Sequence, residues 1–233
     1  MKTFITQPTY LPWLGIFKAI DYCDNFVFYD DVQFEKQSWQ QRNRIINISN
    51  NGKPFVYLNV PVGEHSLETK IKDIKIKDKN FYKKHLDLVR INYKGAPFLD
   101  EVLDVLEQVY CNNYEYLADL NIKLIMVLSD YIGLKTNFVR SKKLNINGNR
   151  NERLINICTL FKTDVYLSPV GSKDYLDDTQ FLSHGLKIEF LDFVHPVYLQ
   201  SKIPFFSHLS IIDILVNIGP KDVRLLIDNI ELV

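Results

Sequence analysis

Polar and aromatic residues gather at several points just beyond short apolar runs of this sequence. Gln7, Tyr10 and Trp13 follow the first run, and Asp30, Asp31, Gln33 and Trp39 follow the second. Ser141 and Lys142 follow Arg140, Ser168, Gly171 and Ser172 follow Leu167, and His195, Tyr198 and Gln200 close the series. His195 is the leading general acid or base, because an imidazole with a pKa near 6.5 exchanges protons around neutrality. Tyr198 and Gln200 beside it would orient a substrate. The competing expectation is a half-buried histidine bonded to the backbone. Arg42 and Arg44 are two apart on an expected strand and so share a face, where two guanidiniums can clamp a diphosphate. Their alternative is to be solvated, or paired with Glu35 or Asp31. Trp39 can stack on a sugar or base, or cover the sheet.

Other candidates have stronger structural explanations. Leu154, Ile157, Cys158 and Phe161 share one helix face, which makes Cys158 a packing residue with little nucleophilicity. Asp213 could polarise a histidine, but Ser210-x-x-Asp213 matches a helix start in which Ser caps and the acid bonds back. Asn151 reads as the cap of a helix beginning Asn151-Glu152-Arg153. His65, His85, His184 and His208 are expected to be surface or structural. Phosphate loops, His-Glu-x-x-His and Gly-x-Ser-x-Gly are absent, and no metal cluster or cofactor is expected.

Composition sets outer bounds on function. The 233 residues are 46% hydrophobic and 24% charged, enough to bury a substantial core. Lys and Arg total 28 against 28 Asp and Glu, so the overall field offers no attraction to nucleic acid or anionic membrane. No apolar stretch approaches the roughly 20 residues of a membrane span. The start, Met1 to Ile5, has no signal-peptide layout. Cys23, Cys111 and Cys158 are widely spaced and read as reduced thiols. A cytoplasmic location is expected.

The elements that must position these groups follow from periodicity. Strands are expected at Thr3–Thr6, Asn25–Tyr29, Asn43–Ile48, Phe55–Val60, Ile71–Ile76, Asn137–Arg140, Asp164–Leu167 and Leu186–Phe190. Asn50-Asn51-Gly52 should close a hairpin. Three- and four-residue apolar spacing predicts helices over Asn80–Tyr93, Phe98–Cys111 and Tyr114–Ile132, with Gly133 ending the third. Further helices are expected at Asn151–Phe161, Asp178–His184, Ser210–Ile218 and Lys221–Asn229. The expectation is one α/β domain over 1–233 with a mixed, largely parallel sheet of Rossmann-like type. A helical excursion at about 79–133 interrupts it, and two C-terminal helices cover it. In such sheets ligands sit beyond the carboxyl ends of the strands, so the polar clusters are expected to share one pocket.

Taken together, the segments resemble the WbqC-like family of bacterial proteins. The resemblance rests on Gln7-Pro8-x-Tyr10-Leu11-Pro12-Trp13-Leu14-Gly15, Asp31-Val32-Gln33-Phe34 with Arg42-Asn43-Arg44, and Glu152-Arg153-Leu154-Ile155. Tyr166-Leu167-Ser168, Tyr175-Leu176-Asp177, His195-Pro196-Val197-Tyr198-x-Gln200 and Leu209-Ser210-Ile211-Ile212-Asp213 extend it to the other end. Pro169 stands where the family pattern prefers Gly, and Asn151 where it has Thr. The resemblance implies a place in bacterial surface-polysaccharide biosynthesis, O-antigen included, and an acyl or aminoacyl (glycyl) transferase acting on an amino sugar. The expected substrate is a nucleotide-linked sugar, with an activated acyl or aminoacyl donor that a carrier protein could present. Lys70, Lys72, Lys75, Lys77, Lys79, Lys83 and Lys84 would be available to dock a carrier, or form a solvated face. The rivals are a non-catalytic nucleotide-sugar-binding or assembly protein of that pathway, and ATP-dependent nucleotidyl transfer or amide ligation.

Overall fold

The computed structural model describes residues 1–49, 52–200 and 204–231. In chain order its elements are β1 (Lys2–Thr6), α1 (Leu14–Tyr22), β2 (Asn25–Phe28), β3 (Arg42–Ile46), β4 (Phe55–Asn59), α2 (Phe81–Asn92), α3 (Leu99–Tyr110) and α4 (Leu117–Ile132). There follow β5 (Asn137–Arg140), α5 (Arg150–Leu160), β6 (Val165–Pro169), α6 (Asp178–Ser183), β7 (Lys187–Leu191) and α7 (Ile211–Asn229).

Alternation makes the central strands two-faced. Phe4, Phe26, Phe28 and Leu167 join one apolar cluster, with residues of α1, α3, α4 and α7. Ile5, Val27 and Tyr166 join the other, with Ile155, Ile157 and Cys158 of α5 and Phe181 of α6. Helices therefore cover both faces of a sheet ordered β5-β2-β1-β6-β7. All its pairings are parallel, with Phe4 beside Phe26 and Leu167 on its two sides. The chain fills one half of the sheet through β1, β2 and β5 and then crosses to β6 and β7. The order therefore reverses between β1 and β6, the kind of switch point where open α/β sheets hold ligands.

The fold class is thus the expected α/β type, with two differences of detail. The antiparallel pair β3–β4 does not extend the parallel sheet but forms its own two-stranded sheet, Ile46 opposite Phe55. Of its expected turn, Asn50 and Asn51 lie outside the described residues. The strand expected at Ile71–Ile76 is instead a 3-10 turn at Ile71–Asp73 followed by isolated bridges at Lys75 and Ile76. Ile71 and Ile74 are both buried, and their spacing of three suits a turn rather than a strand.

The connection from β2 to β5 carries the hairpin and α2 to α4, and their apolar residues merge into the larger cluster. Gly133 ends α4 in the left-handed conformation, as expected. The two expected C-terminal helices are the two halves of α7, separated by a kink at Gly219-Pro220. Among the described residues no helix is long and apolar enough to cross a membrane, and no group of His, Cys, Asp or Glu could hold a metal ion.

Candidate functional site

The turn after β1 builds one wall of a cavity at the carboxyl rim. Leu11 adopts a positive φ of 43°, uncommon for a branched side chain, and buried groups lock it there. The Asn43 amide donates to the Tyr10 and Leu11 carbonyls, at 3.1 and 2.7 Å, and the Ser210 hydroxyl donates to Leu11 at 2.9 Å. From α4 the Asn121 amide donates to the carbonyls of Pro8 and Gln40. So fixed, the chain aims Trp13 outward. Its indole lies where a Cβ on Gly15 would stand, 2.4 Å away, so only glycine leaves it room.

The cavity measures about 290 Å³ and is lined by Thr9, Pro12, Trp13, Ile16, Trp39, Asn43, Arg44 and His208. The Arg44 guanidinium stands 4.6 Å from the Phe55 ring centre and 5.9 Å from that of Trp39, with no ion pair among the described residues. His195 does not line the cavity but adjoins two residues that do, its ring centre 6.2 Å from that of Trp13 and 5.0 Å from that of His208. Burial lowers its pKa, against a hydrogen bond to the Pro196 carbonyl and with help from His208. Since a carbonyl only accepts, the 2.9 Å contact puts the proton on Nδ1 and leaves the Nε2 lone pair available. Burial, and then the Arg44 charge, lower His208 likewise. Two neutral imidazoles, an unpaired guanidinium and two indoles can bind a ring and move a proton.

The expected single pocket does not form, and its residues are divided among separate hollows. Trp13, Trp39 and Arg44 line the aromatic cavity, with His195 adjoining. A crevice opens beside α5, lined by Tyr29, Val32, Gly148, Arg150, Asn151, Arg153, Leu154, Tyr166, Ser172, Tyr175 and Leu176, and it shares no residue with the first. Asp31 lies in a polar annex to this crevice. It is bonded to Ser141 and Arg153, and these bonds outweigh burial and hold its carboxyl below the usual range. Next to it, Asp30 is fully buried under Arg140, at 2.8 Å, and Arg140 also pairs with Asp119.

Several expected site residues are structural. Tyr10 is fully buried, its hydroxyl bonded to His85 and Tyr110, and so cannot line a pocket. Ser168 is likewise buried, with its hydroxyl on Ser172. Gln7 and Gln33 are exposed but line neither hollow; Gln7 accepts from Gln40, and Gln33 donates to the Leu67 carbonyl. Arg42 lies over Tyr57 rather than in the cavity, so no two-arginine clamp forms there; neither arginine pairs with Glu35 or Asp31. Gly171 faces open space at the turn after β6. Tyr198 and Gln200 bond to the buried Asp213 carboxylate, at 2.6 and 2.8 Å, and Tyr93 donates to it at 2.7 Å. Asp213 therefore anchors the segment bearing His195 instead of bonding back to the helix start, although Ser210 does cap α7. The cap of α5 is Asn149, boxed with Glu152, and not Asn151, which sits inside the helix. Cys158 is buried as expected, its thiol pushed up to about 12.

Residues 7–225 match the model of the WbqC-like protein family. The chain belongs to that family. Across 223 residues this WbqC-like chain is 29% identical to the uncharacterized protein Rv1507c of Mycobacterium tuberculosis (strain ATCC 25618 / H37Rv), covering 94% of this chain and 95% of that one. No solved structure matches it. Nothing around His208 in the sequence signals chemistry; it lines the cavity from a left-handed backbone, φ 57°. In sequence Arg153 reads as part of a helix start, because its partner Asp31 is far off along the chain.

Proposed function

We propose that this WbqC-like protein transfers an acyl or aminoacyl group, glycyl among the candidates, to the amino group of a nucleotide-linked sugar in bacterial surface-polysaccharide biosynthesis. The observation that carries this function is the His195 imidazole, its Nδ1 proton committed to Pro196, beside a cavity walled by Trp13 and Trp39. Indole faces suit a sugar ring, and a volume of about 290 Å³ suits one ring rather than a whole nucleotide-sugar.

In the step, the sugar amine attacks the carbonyl carbon of an acyl thioester or ester. Its proton passes to His195 Nε2 as the C–N bond forms, and negative charge gathers on the carbonyl oxygen near Arg44. Collapse breaks the C–S or C–O bond, and the departing thiolate or alkoxide takes the proton back from His195. The cytoplasmic location expected for such chemistry belongs to the same proposal. Mass spectrometry of purified protein incubated with nucleotide-linked amino sugars and acyl or aminoacyl thioesters tests it, amide product being the expected result. His195→Ala should lower turnover by ~10²–10⁴-fold. Unchanged turnover would refute the role of His195. Binding without product in any combination would favour a non-catalytic sugar-binding protein.

A further inference from the structure

The crevice beside α5 is a second hollow, and the transfer chemistry above makes no use of it. It sits across the switch point of the sheet: Tyr29 follows β2 on one side of β1, while Tyr166 lies in β6 and Ser172 and Tyr175 follow it on the other. Its volume is about 510 Å³, within the range of small-molecule sites, and an annex of about 340 Å³ adjoins it through Gly148 and Arg153.

The two hollows differ in chemistry. Lys70, Lys142, Arg150 and Arg153 line the crevice and annex, against the single carboxylate of Asp31. Asp31 is already committed to Arg153 and Ser141, and Lys142 reaches Asp119 only at 3.8 Å. Lys70 and Arg150 have no ion pair among the described residues. The surplus is therefore positive although the chain as a whole is neutral. Tyr175 adds an aromatic ring that is 71% exposed, an unusual state for such a residue and a ready platform for a base. The Arg153 guanidinium is held rigid by Asp31, by the Ile146 carbonyl at 3.0 Å and by the Tyr29 ring at 4.9 Å, so it is ordered before any ligand arrives.

We propose that this crevice binds a nucleoside diphosphate, its phosphates facing Lys70, Arg150 and Arg153 and its base stacked on Tyr175. The assignment stands on the residues of this crevice alone, and its test requires no turnover.

The experiment is calorimetric titration and thermal melting of the whole protein with ADP, GDP, CDP, UDP and dTDP, and with pyrophosphate alone. At least one nucleotide should bind and raise the melting temperature. Lys70→Ala with Arg150→Ala should weaken it by about tenfold or more, as expected for lost charge-assisted contacts, and leave the unliganded melting temperature unchanged. Tyr175→Ala should weaken the nucleotide but not pyrophosphate, while Trp39→Ala and Arg44→Ala should change neither. The proposal is overturned if no nucleoside diphosphate binds, if pyrophosphate binds as tightly as every nucleotide, or if affinity follows Arg44 rather than Lys70 and Arg150.

Discussion

Burial lowers the pKa of two histidines of this protein, and the loss each predicts at low pH is read in a different measurement. His195 is only half-buried and adjoins a cavity, so its proton affinity is read in turnover. A base whose pKa is lowered is active above that value, so the acid limb of the transfer rate should fall below pH 6.5, and His195→Ala should abolish that limb. His85 is 5% exposed and bonded to Tyr10, and burial, outweighing a hydrogen bond to the Asn59 backbone, lowers its pKa to about 4. In the unfolded chain the imidazole titrates near 6.5, so between these values unfolding takes up a proton. Its contribution to stability is complete above pH 6.5, and about 3 kcal/mol is lost as pH falls to about 4. Urea unfolding at stepped pH measures the slope, and His85→Gln should flatten that part of it.

At the scale of elements, the kink in α7 is where local and tertiary demands coincide. Gly219 has φ 77°, and an added Cβ would meet the Phe98 ring at 2.6 Å. Pro220 follows, with no amide to continue the helix. Gly219→Ala therefore brings backbone strain and a ring displacement together, and should destabilise the protein by about 2–4 kcal/mol in denaturant unfolding. Gly15→Ala acts on a flexible target instead, since what it meets is the tip of the Trp13 ring. It should move the indole, altering tryptophan fluorescence and sugar binding, at a smaller cost in stability.

For the whole molecule, the rim of the sheet is held together by charge. Asp30 follows β2, Arg140 ends β5 and Asp119 comes from α4, so one network, buried at its Asp30 end, joins both neighbouring strands to the helical excursion. Arg140→Ala leaves the Asp30 carboxylate buried without its partner and should cost about 3–5 kcal/mol. Adding Asp30→Asn removes the stranded charge and should recover part of that loss, which a double-mutant cycle in denaturant quantifies.

Local sequence determined the elements: Phe4-Ile5 and Phe26-Val27-Phe28 had to form strands buried on both faces, and Leu99, Val102, Leu103 and Leu106 a helix stripe. It also determined that polar groups would collect after those strands, because buried strands must end where the chain meets water. What it could not contain was which of those ends share a hollow. Short-range pattern carries no information on the β1–β6 reversal, on the hairpin standing apart from the main sheet, or on a left-handed His208 completing the aromatic wall. Pairings such as Arg153 with Asp31 and Tyr198 with Asp213 join residues from different elements. Only the packing of those elements decided that Tyr10 would be buried while Arg44 stayed open to a ligand.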